Sequence, residues 1–334
     1  MGASAWSDLS YSAKSTMRSR SATKGFDYDH TVKTAAVLTG AKMTPHKALD
    51  PINAKLRESR DSTAHPNSLA ITVFMDVTGS MADTPKIMVD NLKTLMSLLV
   101  KKGYVKDPQL MFNAIGDAYS DQVPLQISQW ESGIEMDDSL EKLVLEGGGG
   151  GTSEESYDLG LYFMARHTSI DCWDKRGKKG YIFLVGDERP YKKVDKNKVK
   201  QLIGDTIQED IPIEDIITEL KERYEIFMIR PDGTSHFTTK DIRDRWRHLL
   251  GDNHVIEIQS VNVLSETIAG IIGTNEGAVD LDELAEDLKS EGCNAADSIT
   301  QAITPYASNK VAKKGVTIEG SLPVVAGGSS ITTL

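Results

Sequence analysis

Five strand-length apolar runs recur along the chain with helix-length segments between them, and that alternation limits the fold more than any other feature. The runs are "LAITVFMD" (69–76), "QLMFNAIGDA" (109–118), "GYIFLVGDERP" (180–190), "EIFMIRP" (225–231) and "HVIEIQ" (254–259). They are apolar at successive positions and not only at alternate ones, the pattern of strands buried on both faces. Helical patterns fall at 82–103, 137–146, 195–208, 213–224, 238–250 and 261–273, and a loop opens into a helix over 147–168. Strands of this kind separated by helices predict a doubly wound, Rossmann-like α/β fold with a mostly parallel sheet. A sixth run, "QVPLQISQW" (122–130), follows the second strand after a short turn. Its proline suits an edge, so it is expected as one short antiparallel edge strand.

The flanks differ from this body. Residues 1–66 are rich in Ser, Thr, Lys and Arg and end in the turn cluster "AHPNS". They are expected as an N-terminal extension with weak local structure. The body spans 67–273. Residues 274–334 hold an acidic amphipathic helix, "VDLDELAEDLKSEG", a second helical stretch, "AADSITQAITPYA", and the tail "GSLPVVAGGSSITTL", read as a strand or a flexible end. The first 66 residues carry ten Lys/Arg against six Asp/Glu, and the remaining 268 carry 28 against 43. So acidic a body argues against a nucleic-acid partner. The basic arm suits an acidic surface, the protein's own included. No apolar stretch approaches the roughly 18 residues of a membrane span, so no membrane partner is expected. The N-terminus lacks the apolar centre of a signal peptide, and Cys172 and Cys293 have no metal-type spacing. Two free thiols in the cytoplasm is the expectation.

In open parallel sheets, ligands bind beyond the carboxyl ends of the strands. The first strand ends at Asp76, with Thr78 and Ser80 on the loop of "FMDVTGSM". The second leads to Asp117 and Asp121. The glycine run "GGGGGTSEE" delivers Thr152, Ser153, Glu154 and Glu155 to a helix start, and the third long strand ends in Gly186, Asp187 and Glu188. Oxygen donors without His or Cys favour a hard cation, Mg²⁺ or Mn²⁺ before Zn²⁺. Neutral hydroxyls with few carboxylates would leave the ion short of negative charge, ready to take a carboxylate from outside.

Asp76-x-Thr78-x-Ser80 after a buried strand, then "GGGGGT", then "LVGDE", resembles the von Willebrand factor A (vWA) domain family of the bacterial or phage type. The resemblance covers about 205 of the 334 residues, 69 to 273, and neither flank. It implies the vWA fold and a metal-ion-dependent adhesion site (MIDAS) holding Mg²⁺ or Mn²⁺, with Asp76, Thr78, Ser80 and Asp187 as ligands. The family's Thr position is ambiguous here. Order along the chain selects Thr152, whereas counting back six residues from Leu161 lands on Glu155. Either would supply the further ligand, and with Glu155 the ion would attract an acidic partner less. The resemblance also implies a non-enzymatic adaptor or scaffold, whose protein partner presents an Asp or Glu to the metal. A AAA+ ATPase or an assembly subunit is the kind of partner it suggests.

Blander and rival readings stand beside this one. Thr78 or Ser80 can cap a helix. The glycine run can cradle a phosphate, but no Lys follows it as in nucleotide-hydrolysing loops. "DVTGS" also resembles the nucleophile motif of haloacid dehalogenase phosphatases, with Asp76 attacking phosphorus. There Thr78 occupies the position of the acid/base carboxylate, so proton transfer lacks a carrier. The tail 320–334 suits a strand donated to a neighbour in a self-assembling particle. The seven His are scattered, and "RDRWRHLL" (243–250) and "KKVDKNKVK" (192–200) read as an amphipathic helix and a solvated face.

Overall fold

Strand pairing decides where this chain places its polar loops. The structure, a computed structural model, describes residues 4–148 and 153–315. Thr152 and the tail 320–334 therefore lie outside the described residues. The central sheet contains β1 (Ser68–Asp76), β2 (Asp107–Ile115), β3 (Leu125–Gln126), β4 (Gly180–Val185), β5 (Tyr224–Pro231) and β6 (Val255–Ile258). Their order is β6-β5-β4-β1-β2-β3. All neighbours are parallel except β2 and β3. Every residue of β1, β2 and β4 is buried, as continuous apolar runs require.

The expected edge strand is present but short. A single bridge, Leu110 with Glu131, lies further along, and Leu125 and Gln126 pair with β2 as a ladder. Beyond them the Ser128 N–H donates to Asn113 Oδ1 at 2.8 Å, and the Phe112 N–H donates to Ser128 Oγ at 3.0 Å. Two side chains thus replace backbone bonds and end the regular ladder while keeping the Phe112 and Ser128 N–H groups paired.

Right-handed crossovers fix the helix layers. The chain moves one way from β1 to β2 through α3 (Thr84–Met96). It then crosses back over β1 to β4 through α4 (Tyr157–Arg166), and goes on to β5 and β6 through α5 (Ile213–Arg223) and α6 (Lys240–Leu250). The reversal puts α4, α5 and α6 on one face and leaves α3 on the other, and α7 (Leu264–Glu276) packs beside α3 on that second face. The "RDRWRHLL" stretch lies in α6, which buries Ile242, Trp246, Leu249 and Leu250, as an amphipathic cover should. The class is a doubly wound α/β sheet with one short antiparallel edge strand. The order in which the chain adds strands reverses between β1 and β4, and ligand crevices form at such a point.

The first 66 residues carry more structure than their composition suggested. α1 (Asp8–Arg20) and α2 (Asp27–Thr39) form there, the first capped by Ser7. What anchors α1 is a charge. The Arg18 guanidinium is buried and reaches Asp137 at 2.7 Å and Glu141 at 3.1 Å. The basic arm therefore docks on the protein's own acidic surface. Arg57–Ser59 then pairs in parallel with Thr168–Ile170.

At the other end, α8 (Leu281–Ser290) starts in a capping box between Asp280 and Glu283. Its Leu284 packs on Gly270 of α7, where an added Cβ would come within 3.0 Å of Leu284 Cδ2. The helix α9 (Ala296–Gly315) buries Ile299, Ile303 and Tyr306, the last edge-on to Phe227 of β5 at 4.8 Å. Both segments enlarge the core of the sheet.

Candidate metal centre

Asp76 is the last residue of β1 and is buried, next to the reversal of strand order. The Thr78 N–H and hydroxyl each approach its Oδ1 at 2.8 Å. The same hydroxyl lies 3.0 Å from Glu155 Oε1. One hydroxyl proton cannot satisfy two carboxylates, so the contact needs a second proton or a cation nearby.

Glu155 reaches this point through a two-residue strand, Glu154–Glu155, paired in parallel with Arg189–Pro190. That pairing carries the loop after β4 alongside it. Asp76, Glu155 and Glu188 each offer an oxygen within 4.8 Å of the others. Asp76 Oδ2, Glu155 Oε2 and Glu188 Oε2 are buried with no hydrogen-bond partner among the described residues. Burial first, then the charges of Glu188 and Asp187, holds the Asp76 carboxyl well above the usual carboxylate range, although Thr78 pulls the other way. Glu155 is raised by burial and then by the charge of Asp76. Glu188 is raised by burial as well, against a lowering contact from Glu155. All three favour a positive species beside them. The donors are oxygens throughout, which fits a hard divalent cation.

The remaining expected residues lie around this cluster in different ways. Asp187 is buried, and its Oδ2 accepts the His236 N–H at 2.7 Å. Arg230, fully buried, holds that loop by donating to the carbonyls of His236 and Phe237 at 2.9 and 2.8 Å. Ser80 is exposed, and its Oγ accepts from the N–H and hydroxyl of Ser235 at 3.1 and 3.2 Å. The spacing had put Thr78 and Ser80 at one spot; the structure engages Thr78 with the carboxylates and Ser80 with the neighbouring loop. Asp117 is occupied by its own turn and by Tyr191, accepting from Tyr119 N–H, the Ser120 hydroxyl and the Tyr191 hydroxyl.

Three more residues complete the geometry: Gly186, Tyr157 and Glu188. Gly186 has no room for a side chain: its Cβ would fall 1.9 Å from Tyr157 Oη and 3.2 Å from Asp76 Oδ2. Tyr157 is fully buried, with no partner for its hydroxyl among the described residues. Glu188 had been read only as a polar strand end.

No family model matches the chain, and no curated protein does. Several solved structures do. The pilus adhesin SpaC from Lactobacillus rhamnosus GG, in its open conformation, is 11% identical and covers 66% of this chain and 31% of its own, with a TM-score of 0.44. The vWF domain of the type V pili tip protein Mfa5 from Porphyromonas gingivalis is 10% identical and covers 68% of this chain and 97% of its own, at 0.39. A von Willebrand factor type A protein from Catenulispora acidiphila is 15% identical and covers 63% and 43%, at 0.35. The chain spans about a third of the adhesin's length. The fold class stands on the strand order above and not on these likenesses.

Proposed function

We propose that the chain is a protein-binding module working through one hard divalent cation, Mg²⁺ or Mn²⁺, at the rim between β1 and β4. The observation that carries this reading is the crowding of three buried carboxyls, on Asp76, Glu155 and Glu188, within 4.8 Å of one another, with one oxygen of each lacking an N–H or hydroxyl partner among the described residues. Carboxylates left so close together without a counter-charge are strongly disfavoured. Asp76 and Glu155 would hold the ion, with Thr78 orienting both and Asp187 and Ser80 at its rim. Thr152 remains a proposed ligand from the loop. When bound, the ion supplies a Lewis-acidic charge able to accept an oxygen from a partner. The residues around it keep the carboxylates in place. A AAA+ ATPase or an assembly subunit is the partner class that the sequence resemblance implies.

One observation favours the enzymatic rival. Glu155, linked to Asp76 through Thr78, would be the proton carrier that a phosphoryl-transfer reaction at Asp76 otherwise lacks. Charge opposes it, since a phosphate ester would meet Glu155, Glu188 and Asp187 around the nucleophile. Mg²⁺-dependent turnover of a phosphate ester, lost in Asp76→Asn, would favour the enzyme. For the binding module, affinity capture is expected to recover a partner in Mg²⁺, and to lose it in EDTA and in Asp76→Ala. Equal recovery in all three would remove the reading.

A further inference from the structure

We infer that Glu188 is a third carboxylate ligand of this ion, and that the site consequently takes a neutral oxygen donor from its partner (a carbonyl, amide or hydroxyl) in place of a carboxylate. The inference rests on the cation reading above and departs from the acidic partner that the sequence suggested.

Glu188 is held where it is from several directions. The Trp246 indole N–H donates to its backbone carbonyl at 2.8 Å. Trp246 is itself fully buried and stands edge-on to Tyr157 at 5.2 Å. The parallel register Glu154↔Arg189 and Glu155↔Pro190 then ties the next two residues to the Glu155 strand. The backbone of Glu188 is therefore fixed facing Glu155. One of its oxygens lies 3.5 Å from His236 Nε2, and the other is buried with no donor among the described residues.

A second observation, independent of the acidic cluster, points to a ligand at the same place. Tyr157 carries a buried hydroxyl with no partner among the described residues; it fills the space over Gly186, whose Cβ would fall 1.9 Å from it and 3.2 Å from Asp76 Oδ2, and it stands in the field of Asp76, Glu155 and Glu188. A phenol hydroxyl and a carboxylate oxygen, both buried and both without a partner among the described residues, are suited to sharing a ligand oxygen carried by a cation. Three carboxylates around one divalent ion leave the set with one net negative charge. An incoming carboxylate would be repelled, whereas a carbonyl or hydroxyl oxygen brings no charge and can accept the Tyr157 proton.

Mn²⁺ serves as the probe on the full chain, its bound water followed by proton relaxation, with acetate as the model carboxylate. The wild type is expected to bind Mn²⁺ and to keep its relaxation enhancement in excess acetate. Glu188→Gln, close in shape, is expected to bind Mn²⁺ at least about tenfold more weakly and to lose enhancement as acetate displaces water. Glu188→Asp keeps the charge and should stay insensitive to acetate. Equal Mn²⁺ affinity in wild type and Glu188→Gln would overturn the inference while leaving the cation reading intact. Acetate displacing water in the wild type would do the same. A wild type that binds no Mn²⁺ would end both.

Discussion

At the scale of single residues, the site is a conflict between burial and charge. Asp76, Glu155 and Glu188 all have carboxyls raised in the folded chain, burial being the first cause in each. The unfolded chain releases these protons from about pH 4 upward, while the folded chain without an ion retains them. A raised group stabilises fully below its unfolded pKa, and that stability is lost as pH rises toward the folded value. The melting temperature in EDTA is therefore expected to fall between about pH 5 and pH 8. Mg²⁺ should reduce the slope, and Asp76→Asn should flatten the EDTA profile by removing one carboxylate. A flat wild-type profile in EDTA would contradict this. Gly186→Ala tests the close approach: the added Cβ meets Tyr157 Oη, for an expected loss of about 1–3 kcal/mol in urea unfolding. Tyr157→Phe in the same chain should restore most of it; an unchanged loss would mean that the strain lies elsewhere.

Some of these residues could be read from the sequence and others could not. Asp76, Thr78 and Asp187 were legible because each follows an apolar run, and the end of a parallel strand is where polar groups gather. Glu155 was reached only by counting back from Leu161, in competition with Thr152. Glu188 was invisible as a member of the cluster. It meets Glu155 through two strands of two residues each, too short to leave a periodic signal. The bond from Ser235 to Ser80 spans loops far apart in the chain and has no local signature either.

At the scale of elements, the N-terminal extension shows why composition misleads. Its helices lack a strong apolar face, and α2 buries none of its residues. The anchor is the ion pair between Arg18 and Asp137, both buried. Breaking such a pair from one side strands a buried charge, so Arg18→Ala is expected to destabilise by about 3–5 kcal/mol. Adding Asp137→Asn should recover part of that loss, and α1 should become open to proteolysis in the single variant but less so in the double. Equal stability of Arg18→Ala and wild type would show that α1 does not depend on the pair. The sheet strands, by contrast, were legible within a few residues, since continuous apolar runs admit little else. The edge strand shrank because Asn113 and Ser128 took over bonds that a pattern of apolar residues does not reveal.

At the scale of the whole molecule, the reversal of strand order between the parallel strands β1 and β4 brings residues 76, 155 and 188 to one rim. The helices on either face bury the sheet and leave that rim to the loops. A cation there would link the β1 loop, the start of α4 and the β4 loop, so its binding should stabilise the fold as a unit. An ion at a hundred times its dissociation constant contributes about 2.7 kcal/mol. The most direct test is calorimetric titration of Mg²⁺ or Mn²⁺ into the metal-stripped chain, with Asp76→Ala beside it. One equivalent of bound ion with a raised melting temperature, both absent in Asp76→Ala, is the expected result. No binding heat and identical melting in Mg²⁺ and EDTA would contradict the account.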